Sequence, residues 1–252
     1  MASPIRDLIA GNHIFAHHGV LDAYGHVSIR NPENPNQFIM SRARAPELVE
    51  EGDLMVFNLE GELLNTDDKR GPYQERFIHG AVYEARPEIS AVCHAHTPSI
   101  IPFGVTGIPL KAVFHLGASI GVNVPVWDIA DEFPGTNLLV TNVDQGRSLA
   151  RTLGDGRMAL MRGHGCVFVG RNVPDVVRTG VYMDINAKMA TTAHLMSGGN
   201  VKYLTDDEVR MRLTQGGGPA PAGGQRAPAA EGAGGGGREW EAWLAQVGML
   251  ES

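Results

Sequence analysis

Cysteine is nearly absent: Cys93 and Cys166 are the two in a chain of 252 residues. No disulfide framework is implied, which fits a reducing compartment. An excess of basic charge is missing too. With 21 Lys and Arg against 28 Asp and Glu, the formal net charge is −7. That balance argues against a surface built to neutralise phosphates, so no nucleic-acid partner is expected. No apolar run approaches the length that crosses a bilayer, and the first residues lack the basic-then-apolar order of a secretory leader. The expectation is a soluble, cytoplasmic protein without membrane association. Glycine is plentiful, yet neither a Walker pattern nor a strand-linked Gly-x-Gly-x-x-Gly occurs, and there is no internal repeat.

What is present suits one large α/β domain, since 43% of the residues are apolar and can fill a sizeable core. Ser3-Pro4 opens a helix that runs with helical spacing of Ile5, Leu8, Ile9 and Phe15 toward Gly19. Short strands are predicted at residues 27–30, 37–40, 54–58, 89–95, 112–116, 138–141, 158–162 and 166–169, with a hairpin turn at Leu59-Glu60-Gly61-Glu62. Helices are predicted over 74–85, from Thr97-Pro98 to Gly104, over 144–153 and over 174–196. Strands interspersed with helices indicate a layered α/β domain, and the short connections point to antiparallel pairing. Three parts follow: a catalytic domain over 1–214, a Gly/Pro/Ala-rich flexible linker over 215–237, and a segment over 238–252. In the last part Trp240, Trp243, Leu244 and Val247 share one face of a small amphipathic helix. Such a helix cannot stand alone, and must dock on its own domain or on a neighbouring subunit.

The chemistry centres on histidines. In Cys93-His94-Ala95-His96-Thr97-Pro98, strand alternation projects His94 and His96 side by side. A third, His164, lies in Arg162-Gly163-His164-Gly165, where the glycines permit a sharp turn and a close backbone approach. Three neutral imidazoles with an open position make a catalytic metal site. A His-x-His alone is commonly a pair of hydrogen-bonded core residues. The Gly-His-Gly turn, and Glu75 on the helix leading into the same strand, favour the metal. Cys93 points to the face opposite His94, so both cysteines read as small buried apolar residues rather than sulfur ligands.

The motifs Pro72-Tyr73-Gln74-Glu75-Arg76-Phe77-Ile78-His79, Arg86-Pro87-Glu88, His94-Ala95-His96-Thr97-Pro98 and Arg162-Gly163-His164-Gly165 resemble, in order and spacing, the class II aldolase/adducin family. The resemblance covers about residues 5–205. It implies a three-layer α/β/α domain around a mixed, largely antiparallel sheet, and a homo-oligomer, commonly a tetramer. It also implies one divalent metal ion per subunit, Mn2+ or Zn2+ ahead of Fe2+. Carried over by position, His94, His96 and His164 would be the metal ligands and Glu75 the catalytic acid/base. His26 and Ser28, in Gly25-His26-Val27-Ser28, match a Gly-Asn-x-Ser-like stretch that helps bind substrate.

The departures point away from phosphosugars. Met40-Ser41-Arg42-Ala43-Arg44-Ala45-Pro46 and Tyr73-Gln74 stand where phosphosugar enzymes have small hydroxyl and glycine residues. Arg42, Arg44 and Tyr73 suit a planar carboxylate instead, although the arginines also read as a solvated strand end. The pattern is similar to family members that decarboxylate hydroxylated aromatic or pyridine dicarboxylates, so the expected partner is a small aromatic carboxylate. His115, interrupting an apolar segment, is a second candidate catalytic residue because a buried polar group needs a partner. His79 shares a helix face with Glu75, which suits either orienting the site or packing the helix. His13, His17 and His18 are expected near the first helix without catalytic roles. Competing readings are a retro-aldol lyase for a non-phosphorylated hydroxy-keto acid, a metal-dependent oxygenase, and an adducin-like non-catalytic module.

Overall fold

The computed structural model describes residues 3–65, 69–215 and 237–251. Seven strands are present among the described residues: β1 (His26–Arg30), β2 (Gln37–Ser41), β3 (Leu54–Asn58), β4 (Ala91–Ala95), β5 (Val126–Trp127), β6 (Met158–Met161) and β7 (Gly165–Gly170). They form one sheet in the order β3-β2-β1-β4-β7-β6-β5. Every neighbouring pair is antiparallel except β5 with β6. Eight helices accompany it among the described residues: α1 (Pro4–His17), α2 (Arg76–Ala85), α3 (Ile101–Val105), α4 (Ile129–Glu132), α5 (Val143–Leu153), α6 (Val173–Ser197), α7 (Asp206–Gln215) and α8 (Gly237–Gln246).

Alternation along β4 explains the layering. Ala91, Cys93 and Ala95 join the core formed with α1, α6 and α8, whereas Val92 faces the opposite core, under α2 and α5. The same alternation in β1 sends Val27 and Ile29 to the first core and leaves His26 and Ser28 on the α2 side. The expected three-layer α/β/α arrangement with a mixed, largely antiparallel sheet is therefore the one observed. Both cysteines are buried and unpaired, with Cys93 in the layer away from His94.

Two expected strands are absent because side chains take their amides. Across 138–141, Leu138 N–H donates to Thr136 Oγ1 (2.9 Å), Leu139 N–H to Asn137 Oδ1 (3.2 Å), Val140 N–H to Glu75 Oε1 (2.9 Å) and Thr141 N–H to Gln145 Oε1 (2.7 Å). No amide is left for a sheet ladder. Across 112–116 the Asn186 side chain of α6 does similar work. It accepts from Val113 N–H at 2.9 Å and donates to the Lys111 carbonyl at 2.9 Å, and the segment runs on into a 3₁₀ turn at Gly117–Ile120. The periodicity did not announce β5, α4 or α7.

Residues 216–236 of the expected linker lie outside the described residues. Beyond them, α8 docks on its own chain. Trp240, Trp243 and Leu244 are buried in the core shared with α1 and α6, Arg178 pairs with Glu239 at 2.7 Å, and His18 meets Gln246 at 3.1 Å. No helix among the described residues is long and apolar enough to cross a membrane.

Candidate metal centre

His94 is the penultimate residue of β4 and His96 follows its last residue, so both imidazoles leave the α2 side of the sheet end. His164 enters from the turn between β6 and β7. Two glycines make that approach possible. Gly163 adopts φ +66°, and a Cβ on Gly165 would sit 2.2 Å from the Ala95 carbonyl oxygen, so only glycine lets β7 lie this close to β4. Glu75, at the N-terminal boundary of α2 and 8% exposed, completes the group. One ligand atom from each of Glu75, His94, His96 and His164 lies within 4.8 Å of all the others.

The Nε2 atoms of His94 and His96 are 3.0 Å apart, and those of His96 and His164 are 3.1 Å apart. Nitrogens bound at ~2.0–2.1 Å to one zinc-sized ion would be separated by about 3.3 Å in tetrahedral and about 2.9 Å in octahedral geometry. The observed spacings fall between these. Proton placement strengthens the fit. His94 Nδ1 is 3.1 Å from the Cys166 carbonyl, and His96 Nδ1 is 3.2 Å from both carboxylate oxygens of Asp22. Those oxygens can only accept, so each Nδ1 carries the hydrogen and each Nε2 presents a lone pair. Two lone pairs aimed at each other across 3.0 Å repel unless a cation lies between them. Burial, followed by the neighbouring His94, pushes His96 below its ordinary pKa, which favours a metal ion over a proton as that cation.

Glu75 is oriented from two sides. Its Oε1 accepts from Val140 N–H at 2.9 Å, while Oε2 stands 3.5 Å from His94 Nε2 and 3.4 Å from His164 Nε2. Burial alone would raise its pKa, but positive charge at the His94 and His164 edge, whether carried by a proton or by a bound ion, outweighs that and holds the carboxyl well below its usual range. It is therefore a carboxylate at neutral pH.

The remaining expected site residues take different places. His26 pairs with His94 across neighbouring strands, their rings 5.2 Å apart, and the Tyr73 ring lies 4.5 Å from that of His26. The Tyr73 hydroxyl is bonded to the Arg44 carbonyl, and burial raises its pKa to about 12. Ser28 is fully buried, bonded to His79 and Tyr83 beneath the site, so its expected direct contact with substrate does not hold. His79 reaches His26 rather than Glu75. Arg42 and Arg44 are not simple solvated ends. Both pair with buried Asp53, Arg42 at 2.8 Å, and Asp53 also takes the Glu50 amide at 2.9 Å. His115 is a correction: it is exposed and lines a separate small cavity with Ser119, Arg157, Asp175 and Arg178, because its segment follows Asn186 of α6 rather than the sheet. His13 and His18 engage Val49 and Gln246.

Asp22 and the Val140 amide were not anticipated. Asp22 had a readable signal, an Asp three residues before Gly25. Its Oδ1 accepts from Tyr24 and Gly25 amides at 3.0 and 2.9 Å, a local turn that aims the carboxylate at His96. Val140 had none, since its role depends on a loop path.

Comparison with known proteins agrees with this geometry. Residues 6–191 match the class II aldolase and adducin N-terminal domain. Decarboxylase tropJ of Talaromyces stipitatus is 36% identical over 84% of this chain and 88% of its own. A 3,4-dihydroxyphthalate decarboxylase of Arthrobacter keyseri is 27% identical over 78% and 80%. Among solved structures, an aldolase II superfamily protein from Pseudomonas syringae superimposes with a TM-score of 0.74 at 19% identity, covering 96% of this chain and 91% of the other. With its fold, its domain match and a 36% identical relative over most of its length in agreement, the chain belongs to the class II aldolase and adducin family.

Proposed function

We propose that this lyase decarboxylates a hydroxylated aromatic dicarboxylate at a divalent metal centre held by His94, His96 and His164, with Glu75 as the proton-handling carboxylate. The observation that carries the reading is the convergence of three imidazole nitrogens and one carboxylate, two of the imidazoles locked with lone pairs inward. The names of two relatives, tropJ decarboxylase and 3,4-dihydroxyphthalate decarboxylase, support decarboxylation over other lyase chemistry.

A divalent ion bound there would supply Lewis-acid stabilisation to a chelated phenolate and its adjacent carboxylate. The chain does the rest. Glu75, anionic at rest, would accept the phenolic proton only as the phenolate is stabilised, and its lowered pKa makes the protonated form a ready donor to the ring carbon bearing the carboxylate. The carbon–carboxylate bond then breaks, its electron pair returns to the ring, and carbon dioxide leaves with a phenolate as the other product. The Val140 amide keeps the carboxylate from rotating away. Arg42 and Arg44, both partly exposed although paired with Asp53 and, for Arg44, with Glu50 at 3.5 Å, are the guanidinium groups that would meet a second substrate carboxylate. The Tyr73 contacts to His26 and to the Arg44 carbonyl hold that segment against the site.

The test is metal analysis of the purified protein, then carbon dioxide release from hydroxylated aromatic dicarboxylates with Mn2+ or Zn2+ restored. His96→Ala serves as the control, expected to lose both metal and turnover while remaining folded. Stoichiometric metal in that variant would refute the coordination. Full metal loading of the wild type with no carbon dioxide release, but with cleavage of a hydroxy-keto acid, would replace decarboxylation by retro-aldol chemistry.

A further inference from the structure

Beneath the metal centre runs a buried chain of four polar side chains that the proposed reaction does not use. Tyr83 Oη lies 2.8 Å from Ser28 Oγ, Ser28 Oγ lies 2.6 Å from His79 Nδ1, and His79 Nε2 lies 2.7 Å from His26 Nδ1. All four residues are at most 1% exposed. The fit is geometric in origin. His79 and Tyr83 are four residues apart on α2, a rise of about 6 Å. His26 and Ser28 are two apart on β1, a rise of about 6.6 Å, so the two pairs face each other in register.

The chain has a preferred direction. A phenol is a better donor and a poorer acceptor than an aliphatic hydroxyl, and an imidazole nitrogen is the best acceptor present. Arg30, 4.8 Å from the centre of the Tyr83 ring, strengthens the phenol as a donor. Tyr83 therefore donates to Ser28, Ser28 to His79 Nδ1, and His79 Nε2–H to His26 Nδ1. Each bond polarises the next. His26 is left with its hydrogen on Nε2, which has no partner among the described residues. In this pattern His79 accepts at Nδ1 and donates from Nε2 while His26 accepts at Nδ1, so each buried ring carries a single hydrogen.

We infer that Tyr83, Ser28 and His79 are positioning residues that lock His26 in its Nε2–H tautomer, making it a fixed hydrogen-bond donor beside His94 for an oxyanion of the substrate, a carboxylate or phenolate oxygen. The inference rests on the proposed substrate class for the identity of that oxygen, but not for the tautomer. A neutral donor set beforehand costs no reorganisation when charge builds on the oxygen. It would act on turnover more than on binding.

The test uses the Zn2+-loaded full chain labelled with 15N-histidine. Two-bond proton–nitrogen spectra would be recorded without substrate and then with 3,4-dihydroxyphthalate as probe. The expected result is a His26 Nε2–H tautomer throughout pH 6–8, whose Nε2 resonance moves when the probe binds. Tyr83→Phe and Ser28→Ala should each give mixed tautomers, retain metal, and lose about tenfold in kcat with KM nearly unchanged. An Nδ1–H tautomer in the wild type, or an unaltered tautomer in both variants, overturns the lock. A locked tautomer whose Nε2 ignores bound probe overturns the donor role. Absence of carbon dioxide release would count against the proposed reaction alone, since the spectra report His26 without turnover.

Discussion

Replacing Asp22 by Asn separates the charge behind His96 from the shape behind it. The asparagine oxygen can still accept the His96 Nδ1–H and the Tyr24 and Gly25 amides, so ring orientation and the local turn survive. What disappears is the negative charge that makes the imidazole a stronger ligand. Removing a carboxylate behind a metal-bound histidine weakens metal binding by roughly 10- to 100-fold. Here the Asp22 side chain is 47% exposed, so water and salt screen much of its effect. The expected loss is therefore near the lower limit, about tenfold or ~1.4 kcal/mol. It should shrink further as ionic strength rises. Competition with a chromophoric chelator for Zn2+ measures it at fixed pH. Burial raises the Asp22 carboxyl, but His96 and the two amides prevail and hold it below its usual value. The carboxylate is therefore charged at the neutral pH of the competition. A change under twofold at low salt would refute the role of this carboxylate. A loss as complete as that of His96→Ala would show that Asp22 ligates directly.

Two further outcomes follow from the surrounding structure. Gly165→Ala would put a methyl 2.2 Å from the Ala95 carbonyl, so β7 must retreat from β4 where His94 and His164 meet. We expect about 1–3 kcal/mol of destabilisation in urea unfolding and at least a tenfold loss of metal affinity, and native affinity in a folded variant would show that the close approach is dispensable. Asp53→Asn leaves Arg42 and Arg44 without their buried carboxylate, at an expected cost of ~2–3 kcal/mol, below the usual range for a fully buried pair because both arginines are partly exposed. Burial raises the Asp53 carboxyl, while the Glu50 amide, Arg44 and Arg42 lower it further. Its stabilisation is therefore complete above about pH 3.9 and fades as pH falls below that. Urea unfolding should show the gap between wild type and variant closing in acid, and a gap independent of pH would assign the effect to packing.

The sequence by itself determined the parts of this protein that depend on short-range periodicity. Alternation in β4 placed His94 and His96 on one side and Cys93 on the other, the helical spacing of 174–196 located α6 to within a residue at each end, and the glycines around His164 marked the tight turn. These features need only bond geometry and the separation of polar from apolar surface. Tertiary structure decided what each side chain meets. Arg42 and Arg44 read as substrate ligands or solvent-facing charges, and only the fold showed that buried Asp53 stands between them and fixes them in place. His115 looked buried in an apolar run until Asn186 took the backbone of its segment away from the sheet. Val140 became a partner of Glu75 because side chains claimed four successive amides of a stretch whose composition reads as a strand. The Tyr83-Ser28-His79-His26 chain required α2 to lie on β1 in a particular register, and that register is set by packing over many residues rather than by any one motif. Local periods say which way a side chain points, but only the assembled layers say what stands opposite it.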